Sequence, residues 1–345
     1  MTTDALAERV FGAALGTIDI LSIHLGDRLG WYRSLRNDGP ATPDELAART
    51  GTNRRYAREW LEQQATTGFL GVLGERYTLP DDAAEVFTDE QSLSYLAPLA
   101  RMLAGAAVQL PGLLDAYRRG GGVGWAQFGA DARESQADLN RPWFEQALPG
   151  ALKAVPDLDG ILARSGARVL DIGCSAGWSS VSPARAYPEL QVDGVDVDEP
   201  SLSLARSHAS DRVRFTSTIP AAGYDAAFAF ECLHDMPDPI GVLASVRRSL
   251  APGAPLIVMD EAVASSFTAP GDDIERLMYG FSLLICLPDG MAHESSAATG
   301  TVMRPDVLRE YAVTAGFADV EVLPIEDFGF WRFYRLATAE SAVSA

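Results

Sequence analysis

The sequence predicts an α/β protein, a parallel doubly wound sheet preceded by a helical module. Three observations carry this expectation. From Ala167 onward, short apolar strands alternate with helices. The first of those strands, Arg168 to Ile172, runs into Gly173-Cys174-Ser175-Ala176-Gly177 and then a helix. Residues 1–80, by contrast, read as helix, turn, helix and hairpin.

The amino-terminal elements have local causes. Thr42-Pro43-Asp44-Glu45 is a capping box with proline at the first helical position, and Gly51 is a stop. A second helix is expected from Arg54 to Thr67, ended by Gly68. Phe69 to Leu73, a Gly74-Glu75 turn and Arg76 to Leu79 make a small hairpin. This is the winged-helix order. Arg54, Arg55 and Arg58 could face DNA, but Glu59 and Glu62 share their helix and suit a solvated face better. Residues 81–160 read as linker and pocket helices. Ser92 to Arg118, within these helices, is long and mostly apolar and meets the break Gly120-Gly121-Gly122-Val123-Gly124. Trp125 and Phe128 beside those glycines, with Trp143 and Phe144, are candidates to line a substrate pocket.

The third segment, 161–345, holds the sheet. Its further strands are expected at Gln191 to Val197, Val213 to Phe215, Asp225 to Phe230, Pro255 to Met259, Val320 to Leu323 and Trp331 to Leu336. Pro239 and Gly253 bracket one helix, Pro305 and Gly316 another, and an insertion rich in Gly, Ser and Thr spans 265–303.

Composition narrows the function classes. A net charge of −19 over 345 residues lacks the basic footprint that phosphate backbones or anionic membranes require. No apolar run reaches the ~18–20 residues of a membrane span. Asp4 and Glu8 stand where a signal peptide would be basic. Cys174, Cys232 and Cys286 are too scattered for a disulfide framework or a CxxC metal site. The expectation is a soluble cytoplasmic protein without a structural metal.

A strand ending in a glycine turn aims free backbone N–H groups at the sheet's carboxyl edge. Asp196 follows Gly173 by 23 residues, near the spacing of a ribose-binding acid. The glycines do not spell GxGxxG, which disfavours a nicotinamide dinucleotide. Val169 to Ser180 then resembles motif I of class I S-adenosylmethionine-dependent methyltransferases. Asp193-Gly194-Val195-Asp196-Val197-Asp198 resembles their motif II, and Phe230-Glu231-Cys232-Leu233-His234-Asp235-Met236 the segment after their fourth strand. With the winged-helix start and the 265–303 insertion, the chain is similar to the bacterial small-molecule subgroup of that family.

The resemblance implies a Rossmann-like, seven-stranded, mostly parallel sheet. S-adenosylmethionine would be the cofactor, S-adenosylhomocysteine its product, and a small molecule the acceptor in a homodimer. Gly173, Cys174, Ser175 and Gly177 would cradle the methionine part, and Asp171 would orient its ammonium. Asp196 would take the ribose hydroxyls and Val197 the adenine, with Phe230 and Glu231 completing the site. His234, Glu231 and Asp235 would stand at the reaction, and His293 in a lid over the substrate. Among possible general bases, His234 leads Asp260, Glu261 and His293, because histidine titrates near neutral pH and this one follows a strand's carboxyl end.

Three departures fall in this site. Ser175 replaces a family glycine, and Pro183 sits early in the next helix, which would then start as late as Ser180. Only Thr216 to Gly223 join the third strand to the fourth, without the family's adenine-binding acid. Eight residues reach at most ~26–29 Å, enough for the ~22 Å such a connection must cover, but without a crossover helix. The expected function is methyl transfer to a specialised-metabolite acceptor. Two alternatives are a same-fold enzyme that no longer transfers methyl, such as a cyclase or isomerase, and a ligand-binding DNA regulator.

Overall fold

In the computed structural model, which describes residues 1–338 apart from Ala222, the chain forms two compact units. Residues 339–345 of the expected catalytic segment and Ala222 of the 216–223 loop lie outside the described residues.

The first unit comprises residues 1–108 and 130–142. It holds α1 (Thr3–Arg28), α2 (Trp31–Asp38), α3 (Pro43–Thr50), α4 (Arg54–Thr66), the hairpin β1 (Gly71–Leu73) and β2 (Arg76–Thr78), α5 (Asp81–Thr88) and α6 (Ala97–Val108). The capping box at α3 is complete: Thr42 Oγ1 accepts from the Glu45 amide at 3.3 Å, and Glu45 Oε2 from the Thr42 amide at 2.8 Å. The core gathers Trp31, Tyr32, Leu46, Trp60, Leu61 and Phe87. A buried ionic knot joins α1 to α6, with Arg101 Nε 3.0 Å from Asp27 and its Nη2 2.6 Å from Asp138. Arg54, Arg55 and Arg58 pair with Asp44, Glu59 and Glu62, so each exposed cation meets a carboxylate.

The second unit takes residues 109–129 and those from 143 onward. Its helices begin with α7 (Leu110–Arg119), the start of α8 (Trp125–Pro142), α9 (Leu148–Lys153) and α10 (Pro156–Leu162). Then β3 (Arg168–Ile172), α11 (Trp178–Ala186), β4 (Gln191–Val195), α12 (Glu199–Arg206), β5 (Val213–Thr216) and β6 (Ala226–Phe230) alternate. The chain closes with α13 (Pro239–Ser249), β7 (Leu256–Glu261), α14 (Asp273–Phe281), α15 (Leu287–Gly290), α16 (Pro305–Thr314), β8 (Asp319–Val322) and β9 (Trp331–Ala337).

The seven strands order as β5-β4-β3-β6-β7-β9-β8, parallel except for β9, which runs antiparallel to both its neighbours. Period-two alternation feeds two cores. Val169, Val192, Phe228 and Ile257 enter one, while Leu170, Ala227, Leu256 and Val258 enter the other. Strand order reverses between β3 and β6, which puts a crevice at their carboxyl ends.

One expectation is corrected and two are made definite. Ser92 to Arg118 holds two helices, α6 and α7, divided at Gln109, because Pro111 cannot donate to the turn before it. The helix expected to end at Gly253 stops at Ser249, since Pro252 disfavours helical geometry at Ala251, whose amide bonds the Tyr224 carbonyl instead at 2.8 Å. The helix after the glycine turn starts at Trp178, before the latest expected start at Ser180, with Pro183 as its sixth residue. No single described helix is long and apolar enough to cross a membrane.

Candidate active site

The glycine turn after β3 is built from backbone. The amides of Gly173 and Cys174 both donate to the Val195 carbonyl, at 2.8 and 3.1 Å, which ties the turn to the end of β4. Gly173 has φ 69°, and a Cβ there would lie 2.6 Å from the Cβ of Cys232. Gly177, at φ 88°, opens α11, and the Val181 amide donates to its carbonyl at 2.9 Å. That bond starts the helix early enough to leave Pro183 in its second turn. Ser175 takes the family glycine's place with φ 47°, a left-handed conformation that costs a residue with a Cβ about 1–2 kcal/mol. Its amide donates to Asp196 Oδ2 at 2.8 Å, an ionic hydrogen bond that offsets the strain.

Asp171 lies beneath this turn at the end of β3, 1% exposed. Its Oδ2 accepts from the hydroxyls of Ser179 at 2.7 Å and Ser180 at 2.5 Å, while Oδ1 is buried without a hydrogen-bond partner. Burial pushes this carboxyl up to about 6, against the serines that pull it down. An orphaned, charge-ready oxygen under a backbone cradle fits an incoming ammonium. The two serines escaped the sequence reading, although their place in the first turn after Asp171 was visible. Asp196, just past β4, accepts the Ser175 amide on one oxygen and the Asp198 amide at 2.8 Å on the other. Each oxygen keeps a lone pair, so two hydroxyls can still be received. Val197 beside it is 91% exposed, an apolar side chain that no described residue covers.

Between β5 and β6 the described residues form no helix. Asp225, the acid that follows, is occupied elsewhere: it accepts the Arg168 amide at 2.9 Å and pairs with Arg164 at 2.8 Å.

Beyond β6 the chain strains again, with Glu231 at φ 53° and its amide held by the Met259 carbonyl at 2.7 Å. Phe230 faces inward and stacks on Phe144 and Phe228. His234 follows in a short 3₁₀ turn, 3% exposed. Its Nδ1 lies 3.0 Å from Asp260 Oδ1 and 3.2 Å from Glu261 Oε2, both at the end of β7, which β9 extends by two residues past the expected Met259. Its Nε2 lies 3.3 Å from Asp235, whose side chain is half-exposed. Burial alone would lower the His234 pKa, but Asp235, then Asp260 and Glu261, outweigh it and raise it well above the ordinary range. Burial would also raise Asp260, yet His234 holds it low, while burial pushes Glu261 well up. The ring is thus a strong base in an acidic cage. Cys286, which the sequence did not mark, sits against His234 and Asp235.

The expected pocket residues fall in two places. Trp125 and Phe128 stack at a tilt, and the Trp125 amide donates to Asp289 Oδ1 at 2.6 Å. Burial pushes Asp289 up to about 6; its segment Leu287-Pro288-Asp289-Gly290 carried part of the family resemblance, but no role had been given to it. Trp143 packs on Phe328 and Trp331, and Phe144 belongs to the sheet's core. His293 is exposed on the loop after α15.

Comparison with known proteins agrees with this geometry. Residues 170–256 match the family model of a methyltransferase domain, and residues 17–89 that of an Rv2258c-like winged HTH domain. The 27-O-demethylrifamycin SV methyltransferase of Amycolatopsis mediterranei is 30% identical over 158 residues, which cover 42% of this chain and 58% of that one. The chain spans only 45–58% of the first curated relatives it matches. Among solved structures, mitomycin 7-O-methyltransferase aligns with a TM-score of 0.75 at 22% identity over 97% of this chain and 98% of its own. Human N-acetylserotonin methyltransferase, solved in complex with SAM, aligns at 0.68 with 19% identity over 97% of this chain and 98% of its own. The fold is the class I methyltransferase fold with an amino-terminal winged-helix domain.

Proposed function

We propose that this chain, a methyltransferase domain joined to a winged-helix domain, uses S-adenosylmethionine to methylate a hydroxyl of a small, specialised-metabolite acceptor. The observation that carries the reading is the orphaned Oδ1 of Asp171 under the Gly173–Gly177 cradle, level with Asp196 at the next strand end. Asp171 would receive the ammonium, Asp196 the ribose hydroxyls and Val197 the adenine face. The bound cofactor supplies a methyl group made electrophilic by a sulfonium. The protein's own share is then orientation and proton removal.

His234 is placed for the second task. Asp260 holds Nδ1, which leaves Nε2, on the half-exposed Asp235 side, to take the hydroxyl proton. A hydroxyl is the acceptor that needs such a base, and the relatives named above are O-methyltransferases. Glu231 and Asp235 border the same mouth. Trp125 and the loop of His293 would border an apolar acceptor, whereas Trp143 packs on Phe328 and Trp331, and Phe128 and Phe144 are buried.

The homodimer is part of this reading. Every residue from Met1 to Ile18 is exposed, and Leu6, Val10, Phe11, Leu15 and Ile18 present apolar surface. A helix whose first turns rest on no other described residue is marginal alone and suits a second copy.

Calorimetric titration with S-adenosylmethionine and S-adenosylhomocysteine tests the cofactor. Micromolar binding of both is expected, and no binding up to millimolar overturns the reading. With an acceptor found by labelled-methyl screening, the rate should climb with pH past the ~6.5 of an ordinary histidine, and His234→Gln should remove that rise. A rate flat in pH would exclude His234 as the base.

A further inference from the structure

We propose that His234, Asp260 and Glu261 form a binding site for zinc(II). No spacing in the sequence suggests it, since the ligands meet only at the edge of the folded sheet. The facing atoms are His234 Nδ1, Asp260 Oδ1 and Glu261 Oε2, all within 4.8 Å of one another, with the nitrogen 3.0 and 3.2 Å from the two oxygens. Tetrahedral ligands at zinc's bond lengths of about 2.0–2.1 Å stand about 3.3–3.4 Å apart, so the nitrogen is already close to ligand spacing from both oxygens.

A second, independent observation points into the trio. Glu261 Oε2, one of the three facing atoms, is buried without a hydrogen-bond partner, on a side chain that is almost wholly enclosed. Buried carboxylate oxygens without donors are costly, and a cation satisfies them. The other ring nitrogen completes the arrangement, because Nε2 faces Asp235 at 3.3 Å. Imidazoles that ligate metals usually donate their second N–H to a carboxylate, which fixes tautomer and orientation. A neutral imidazole, two carboxylates and a dication also sum to zero charge, which lowers the cost of burial. One nitrogen with two carboxylates favours zinc over magnesium or calcium, which prefer oxygen shells.

Zinc on Nδ1 leaves the ring proton on Nε2, where the ring can accept no other. Bound zinc and general-base action at His234 therefore exclude each other, and zinc inhibits methyl transfer. That consequence rests on the proposed function, whereas binding itself does not.

The test uses the full chain, stripped with a chelator and free of cofactor and acceptor. Cobalt(II), then zinc(II), is titrated by absorbance and calorimetry. One equivalent per chain is expected, with cobalt d–d bands of low coordination number that zinc abolishes. Glu261→Gln should weaken binding by about tenfold or more. His234→Gln should abolish it, and Cys286→Ser should leave it intact. If Glu261→Gln does not fold, Glu261→Asp serves, together with the zinc-dependent rise in the native chain's Tm. No binding up to millimolar, or binding indifferent to both position-261 and position-234 variants, overturns the proposal. Loss in Cys286→Ser with a thiolate-to-cobalt charge-transfer band also overturns it, by moving the metal to the His234, Asp235 and Cys286 side. A chain that binds zinc yet never binds S-adenosylmethionine would refute the methyltransferase reading alone.

Discussion

Replacing Asp171 by Asn should make the cofactor-free protein more stable and cofactor binding weaker. Asp171 carries its charge in a closed site at the end of β3, and burial shifts it from 3.8 to about 6. A shift of about two units corresponds to about 3 kcal/mol of charge-burial cost at pH 8. The sign follows from a folded-state value above the unfolded one. The folded form binds the proton more tightly, so stability declines as pH rises from about 4 to about 6, and the full cost stands above that. Asn removes the charge, and the preference of the two serine hydroxyls for a charged acceptor is already contained in that shift. The net gain is up to about 3 kcal/mol at pH 8, or up to about 6–12 °C in Tm for a unit of this size. S-adenosylmethionine should bind about 10–100-fold more weakly, since an ammonium loses an ionic partner. In the native chain, affinity should also fall about tenfold per pH unit below about 6, as Asp171 protonates. Thermal melts from pH 5 to 8 with calorimetry on both proteins measure all of this. A variant destabilised at pH 8, or one that binds the cofactor as the native chain does, would refute the reasoning.

Other perturbations follow from the same structure. Ser175→Gly relieves a left-handed serine but adds backbone freedom, so stability should stay within about 0.5 kcal/mol, while cofactor affinity by calorimetry should rise; weaker binding would show that the hydroxyl is a ligand. Arg101→Met leaves Asp27 buried with only Arg33 beside it and should cost the first unit about 3 kcal/mol in denaturant melts, partly restored by Asp27→Asn; a neutral Arg101→Met would mean the knot contributes nothing. Phe11→Glu with Ile18→Glu should convert a dimer to a monomer in light scattering without changing either unit's melt, and an unchanged mass would exclude α1 as the interface.

The sequence by itself determined most of the architecture. Strand and helix alternation, the glycine turn after Ile172, and the capping box at Thr42 all act over a few residues, and local chemistry is enough to read them. The places of Asp171, Asp196 and His234 were legible for the same reason: each ends or follows a strand, at the edge where a doubly wound sheet presents its crevice. One stop was also local but misread. Pro252 ends α13 early, because the restricted residue before it outweighs continuing apolar periodicity.

What tertiary structure alone decided depends on groups brought together across the sheet. Ser179 and Ser180 turn onto Asp171 only because α11 begins at Trp178. Asp196 holds the strained Ser175 because parallel pairing of β3 and β4 sets their ends side by side. Asp260 and Glu261 read from sequence as the end of a strand. Parallel pairing of β6 with β7 carries that end to the turn where His234 lies. A base and three acids spread over 28 residues become one cage, because strand neighbours in a parallel sheet are set by hydrogen-bond register rather than by distance along the chain.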